Sequence, residues 1–288
     1  MAKSPPHRLG QIIGQLLEEI LEERLREFVR GGNLFLDQKG VRTPVRSGRK
    51  VSWKDKYGNS HDLDFVIEKG GSRSVQGRPV AFIEAAWRRY TKHSKNKAQE
   101  IQGAILPIAE LHYQDKPFLG AVLGGEFTKP SLDQLQSTGF DVLYLPYESL
   151  MKAFDSVGIN ARFDESTADA DSRVCVERIE KLNPDKRSLL KSQLIEIDKA
   201  AIEKFFVALK DKLARQIDRI IIVPLFGDSH EFESVDAAVK FILDLNMAIA
   251  QTTFQKFQVN VVFSNGDKIE GVFSEKKSAI KFVEFVST

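Results

Sequence analysis

HDLDFVIE at residues 61–68 and RPVAFIEAAW at residues 78–87 are the two stretches that decide how this 288-residue chain folds. Asp64 leads into the apolar run Phe65-Val66-Ile67, and Glu84 closes the run Val80-Ala81-Phe82-Ile83. Short runs rich in β-branched and aromatic residues, bounded by Gly, Ser and Asp, read as buried strands. An acid at the end of such a run is costly to desolvate unless it is paired or bound to a cation. Two such acids stand twenty residues apart, on consecutive strands.

Working outward, residues 8–30 carry apolar side chains at helical spacing and stop at Gly31-Gly32. Residues 33–60 are basic and turn-rich, with short strands at 34–36 and 50–53, and 69–78 reads as a loop. Ser94 is placed to cap a helix over 95–113, ending before Pro117. A strand at 117–127, a helix at 130–138, a strand at 140–146 and a helix at 147–155 follow. Strands joined by helical crossovers predict an α/β core with a mixed sheet flanked by helices. Beyond Gly158 the chain is first polar and acidic (160–172), then mostly helical over 172–217 with a break at Asn183-Pro184. Residues 219–288 hold two ββα units, LFGDSHEFESVDAAVKFI (225–242) and FSNGDKIEGVFSEKKSAIKFV (263–283), with a hairpin signal at Asn265-Gly266. The expected division is a core at 1–158 and an accessory region at 159–288 for recognition or dimerisation.

A composition of 42% hydrophobic and 28% charged residues is that of a globular protein rather than a disordered or fibrous one. No apolar run approaches the roughly 18 residues of a membrane span. The N-terminal residues lack an apolar secretion signal, and the one cysteine, Cys175, forms no internal disulfide. A cytoplasmic protein is the expectation. The net charge of +2 hides an excess of 15 basic over 5 acidic residues within 39–97. A cationic segment in a near-neutral chain predicts a polyanionic partner, nucleic acid first, against the plainer reading of a solvated basic face. The stretch 39–56, with Arg42, Arg46, Arg49, Lys50 and Lys54, is the expected DNA-contacting loop, and Arg88, Arg89 and Lys92 add to it. Trp53, Tyr57 and Trp87 are candidates to stack on bases, with core packing the alternative for Trp87.

Phosphate-binding loops, nucleophile elbows and His-Glu-x-x-His helices are absent, and the five histidines are scattered. Asp64 and Glu84 remain. Two carboxylates on adjacent strands, with backbone carbonyls beside them, make a hard-oxygen site suited to Mg²⁺ or Mn²⁺. Such an ion can polarise a phosphate and activate water. The competing reading pairs both acids with Arg88, Arg89 or Lys69.

The helix, the Asp-(x)19-Glu spacing between two strands and the helix that follows resemble the PD-(D/E)XK nuclease superfamily over residues 8–155, about half the chain. Within it the likeness is to type II restriction endonucleases. The resemblance implies a metal-dependent DNA endonuclease with Asp64 and Glu84 as metal ligands and the Ala85 carbonyl as a third. Gly14-Gln-Leu-Leu-Glu18 matches the glutamate that some members carry on the first helix. It also implies double-stranded DNA as substrate, a homodimer for a palindromic target, and a cognate methyltransferase as partner. The family's lysine, two residues after the second acid, is replaced here by Ala86. The cation has moved to Lys95 or Lys97 on the next helix, with Lys97 ahead, or is supplied by Arg88 or Lys92; otherwise the chain is a non-catalytic DNA-binding or assembly protein on a nuclease fold.

Overall fold

Leu9, Ile13, Leu16, Leu17, Ile20, Leu21 and Leu25 are the buried residues of the first helix, α1 (Pro5–Phe28), and share one of its faces. Pro5 and Pro6 start it where missing N–H groups cost nothing, and Gly31, at φ +86°, turns the chain away beyond its end. The structure, a computed structural model, describes residues 4–164, 166–224, 228–246 and 256–287. It divides into two compact units, Met1–Leu111 with Pro117–Leu209, and His112–Lys116 with Lys210–Thr288.

In the first unit α1 is followed by β1 (Leu34–Gln38), a separate ribbon of β2 (Val51–Lys54) and β3 (Ser60–Leu63), then β4 (Phe65–Lys69) and β5 (Arg78–Arg88). A short 3₁₀ turn leads into α2 (Ser94–Leu111). After it come β6 (Phe118–Gly125), α3 (Lys129–Ser137), β7 (Phe140–Pro146) and α4 (Tyr147–Asp155). The sheet order is β1-β4-β5-β6-β7, antiparallel from β1 to β5 and parallel from β5 to β7. It is a mixed sheet flanked by helices. Along β6 the side chains alternate: Ala121 and Leu123 join Val66 and Phe82 in a core with Ile101, Ile105 and Ile108 of α2. Gly124 faces the other way, where a Cβ would come within 2.3 Å of Leu17 of α1. Small residues in β6 therefore let α1 lie close on the sheet.

The stretch 61–68 is two strands, not one. β3 pairs with β2, whereas β4 pairs with β1 and β5, so the chain steps between sheets and Asp64 is the residue at the step. Ser94 is the first residue of α2 rather than its cap, because the 3₁₀ turn Thr91–His93 already precedes it; its Oγ donates to the Thr91 carbonyl at 2.8 Å.

The first unit extends past the expected boundary at 158. It takes in α5 (Asp169–Glu180), α6 (Pro184–Ile197) and most of α7 (Lys199–Leu213). Cys175, Val176 and Ile179 of α5 are buried, and ion pairs join Arg8 to Glu180, Arg187 to Glu19 and Lys191 to Glu23. The charged face of α1 is thus matched by the helices that follow the core.

The second unit contains β8 (Ile217–Pro224), β9 (His230–Phe232), α8 (Val235–Asp244), β10 (Phe257–Phe263), β11 (Lys268–Phe273) and α9 (Lys276–Ser287). Its four strands run antiparallel in the order β11-β10-β8-β9, with Ala238, Ile242 and Phe282 of the helices in one core with Ile222, Val259 and Ile269. These are two ββα units, and Gly266 takes φ +85° in the second hairpin. The Gly227 turn expected in the first lies outside the described residues. Among the described residues no helix is long and apolar enough to cross a membrane.

Candidate active site

Antiparallel pairing sets Phe65 opposite Ile83, so Asp64 and Glu84 fall at the same end of the β4–β5 pair. Each acid is held by the backbone of the other's neighbourhood. The Asp64 N–H donates to Glu84 Oε1 at 3.1 Å, and the Ala85 N–H donates to Asp64 Oδ2 at 2.9 Å. Glu84 is 8% exposed. Burial first, and then the Asp64 charge, push its carboxyl up to about 8, while the Lys97 ammonium pulls it back. Among the described residues neither acid has an ion-pair partner, so the pairing with Arg88, Arg89 or Lys69 does not form.

A cavity of about 810 Å³ has Glu18, Lys39, Ala85, Trp87 and Lys97 in its lining. Glu18 comes from α1 and is raised by burial and by the charge of Asp64, with Lys39 acting in the opposite direction. Lys97 sits in the first turn of α2, mostly buried, 3.4 Å from the Glu100 carboxylate. Lys95 is exposed and stands outside the lining. Ala86 is 6% exposed and packs in the core with Ala98 and Ile101 of α2. Ala86 is thus committed to seating α2, and α2 carries Lys97 close enough to Glu84 for its charge to act on that carboxyl.

No family model and no curated protein matches the chain. Among solved structures it is similar to AF1548, a protein of unknown function, at 12% identity and a TM-score of 0.31, over 69% of this chain and 99% of that one. So loose a likeness defines neither fold nor activity, and the site stands on its own geometry.

The basic loop differs most from expectation. Arg42 is 3% exposed and pairs with Glu68 at 2.6 and 2.8 Å, so it is a buried strut rather than a DNA contact. Arg46 is likewise turned inward, with its Nη1 2.6 Å from both oxygens of Asp37. Buried acids on β1 and β4 need these guanidinium groups. Lys50 is exposed and pairs with Asp62, while Arg49 and Lys54 are exposed. Trp53 is a core residue, edge-on to Phe82 at 5.8 Å, whereas Tyr57 is 72% exposed. Arg88 lines the cavity and donates to the Trp87 carbonyl. Arg89 lies over the Tyr147 ring at 4.1 Å and donates to the Phe163 carbonyl, and Lys92 lies over Tyr90. Gln99 is exposed, and Gln102 bonds Gln134 and Thr138 away from the acids. His61 pairs with Asp55 at 2.9 Å, and His93 is exposed. Lys39, the first residue of the expected DNA-contacting stretch 39–56, was not singled out by the sequence, yet it lines the cavity.

Among the described residues no group of three His, Cys, Asp or Glu side chains is placed to hold a metal. The donor set on offer is two carboxylates and a backbone carbonyl.

Proposed function

We propose that the chain is a metal-dependent nuclease of the PD-(D/E)XK type, hydrolysing phosphodiester bonds in double-stranded DNA, most like a type II restriction enzyme. The observation that carries this is the mutually pinned pair of half-buried Asp64 and buried Glu84, which has no ion-pair partner among the described residues and lies beside Ala85, a residue that lines a cavity together with Lys97. A mixed sheet flanked by helices, with Asp64 leading into β4 and Glu84 on β5, is compatible with that reading. A homodimer, a cognate methyltransferase and a recognition role for the second unit belong to the same proposal.

The donor set fits Mg²⁺ or Mn²⁺: burial first, and then repulsion by Asp64, keeps Glu84 protonated into the neutral range, and a divalent ion would favour the ionised carboxylate. Asp64, Glu84 and the Ala85 carbonyl would hold the ion, which when bound supplies electrophilic activation of the phosphate. Lys97 takes the role of the lysine missing at Ala86. Its ammonium orients the attacking water and stabilises the charge that grows on phosphate oxygens. The water oxygen bonds to phosphorus as the ester bond to the leaving oxygen breaks; the water gives up a proton to solvent and the leaving oxygen takes one from solvent. Glu18 shapes the α1 side of the same cavity.

Asp64→Ala and Glu84→Ala are expected to reduce Mg²⁺-dependent cleavage of plasmid DNA to background while salt-sensitive duplex binding persists. Wild-type cleavage by either variant would reject the site. Tight duplex binding by a wild-type protein that cleaves with neither Mg²⁺ nor Mn²⁺ would favour the non-catalytic DNA-binding reading that Ala86 suggests.

A further inference from the structure

The turn after β1, Asp37-Gln38-Lys39-Gly40, is gripped by one arginine. Arg46 Nη2 donates to the carbonyls of Gln38 (2.8 Å) and Gly40 (3.1 Å), the residues on either side of Lys39. Its Nη1 binds both Asp37 oxygens at 2.6 Å. Asp37 is also 2.9 Å from Arg42, which pairs with the fully buried Glu68 and donates to the carbonyls of Ser72 and Val75. Arg42 stacks on Phe35 at 4.4 Å. Two arginines and two acids thus form one closed network. Side chains buried and paired in this way fix the backbone between them far more firmly than a solvated loop is fixed.

The turn's one cationic side chain is left out of the network, while the Gln38 side chain bonds Glu22. Lys39 is exposed, has no hydrogen-bond or ion-pair partner among the described residues, and lines the cavity with Glu18, Ala85 and Lys97. Two cations lining one cavity, Lys39 from the turn after β1 and Lys97 from α2, suit two successive phosphates of a strand better than a single diester, which carries one charge.

We propose that Lys39 is a substrate-binding residue that takes a phosphate neighbouring the one hydrolysed, and that the Asp37–Arg46 brace positions it. The site would therefore be built for an internal diester of a polynucleotide rather than an isolated one. This rests on the nuclease reading above.

The test uses the full chain and two substrates, a DNA duplex and bis(p-nitrophenyl) phosphate, a diester with no neighbouring phosphate. Lys39→Ala is expected to raise KM for the duplex about tenfold with kcat within about twofold. Hydrolysis of the small diester is expected to stay unchanged. The slope of log affinity against log salt for duplex binding should fall by about one, and Lys39→Arg should restore it. Arg46→Lys, checked for an unaltered unfolding midpoint, should raise KM on its own but add little to Lys39→Ala, since it acts through Lys39. An unchanged KM and salt slope in Lys39→Ala, with cleavage intact, would overturn the Lys39 assignment alone. So would an equal loss of kcat on both substrates, which would place Lys39 in the chemistry. A wild type that neither binds nor cleaves DNA would overturn the nuclease reading and this inference together.

Discussion

The two ends of the β4–β5 pair carry buried and half-buried acids with opposite treatment. At one end Glu68, fully buried, is matched by Arg42, and Asp37 across the sheet is matched by Arg42 and Arg46. At the other end Asp64 and Glu84 hold each other through backbone amides and meet no guanidinium; Lys97 and Lys39 stand off in the cavity wall. Both ends bear the cost of taking carboxylates out of water. Only the first recovers it inside the chain. An acid pair that the fold leaves without a guanidinium partner, one member holding a proton into the neutral range, is set up for a cation from outside.

The largest effect is expected at the neutralised end. Arg42→Ala strands Glu68 in the core and should lower the unfolding free energy by about 3–5 kcal/mol in urea melts. Joint replacement Arg42→Met with Glu68→Leu should recover much of that, because an apolar pair leaves no stranded charge. Next, Lys97→Ala should lower kcat by roughly 10²–10³ with fold and duplex affinity kept, measured by single-turnover cleavage.

Glu84→Gln opposes Arg42→Ala in sign. The folded carboxyl titrates near 8, above its ordinary value of 4.5. Between those values the native state binds a proton that the unfolded chain has released, so stability falls as pH rises through this window and the cost is complete above about 8. In chelator at pH 8–9, Glu84→Gln should therefore stabilise the protein by roughly 1–3 kcal/mol, and below pH 4.5 the gain should vanish. Added Mn²⁺ should raise Tm more at pH 8 than at pH 6. The smallest effect belongs to Lys95→Ala, expected within about 0.5 kcal/mol of wild type in stability and little changed in rate.

Periodicity was enough to read most of the secondary structure, since α1, β5, β6 and β7 bury one clear face or run. The acids were legible because a carboxylate ending an apolar strand has few inexpensive explanations. Lys97 could be put ahead of the other cations from the sequence, but its place in the cavity lining, with Lys95 outside it, depends on how α2 packs. The arginines of the basic loop were not legible. A charge count treats Arg42 and Arg46 as surface, and their partners Asp37 and Glu68 are brought to them by strand pairing. Trp53 and the break at Asp64 were hidden for the same reason, as both depend on which sheet a short strand joins. The helices beyond 158 join the first unit through the charged face of α1, which its apolar pattern does not reveal.

Calorimetric titration of Mn²⁺ into the metal-free protein at pH 7, in buffers of different ionisation enthalpy, tests most directly whether the unneutralised acids are a cation site. The expected result is saturable binding with proton release from Glu84, lost in Asp64→Asn and Glu84→Gln. Equal binding by wild type and Glu84→Gln, or none by the wild type, would contradict it.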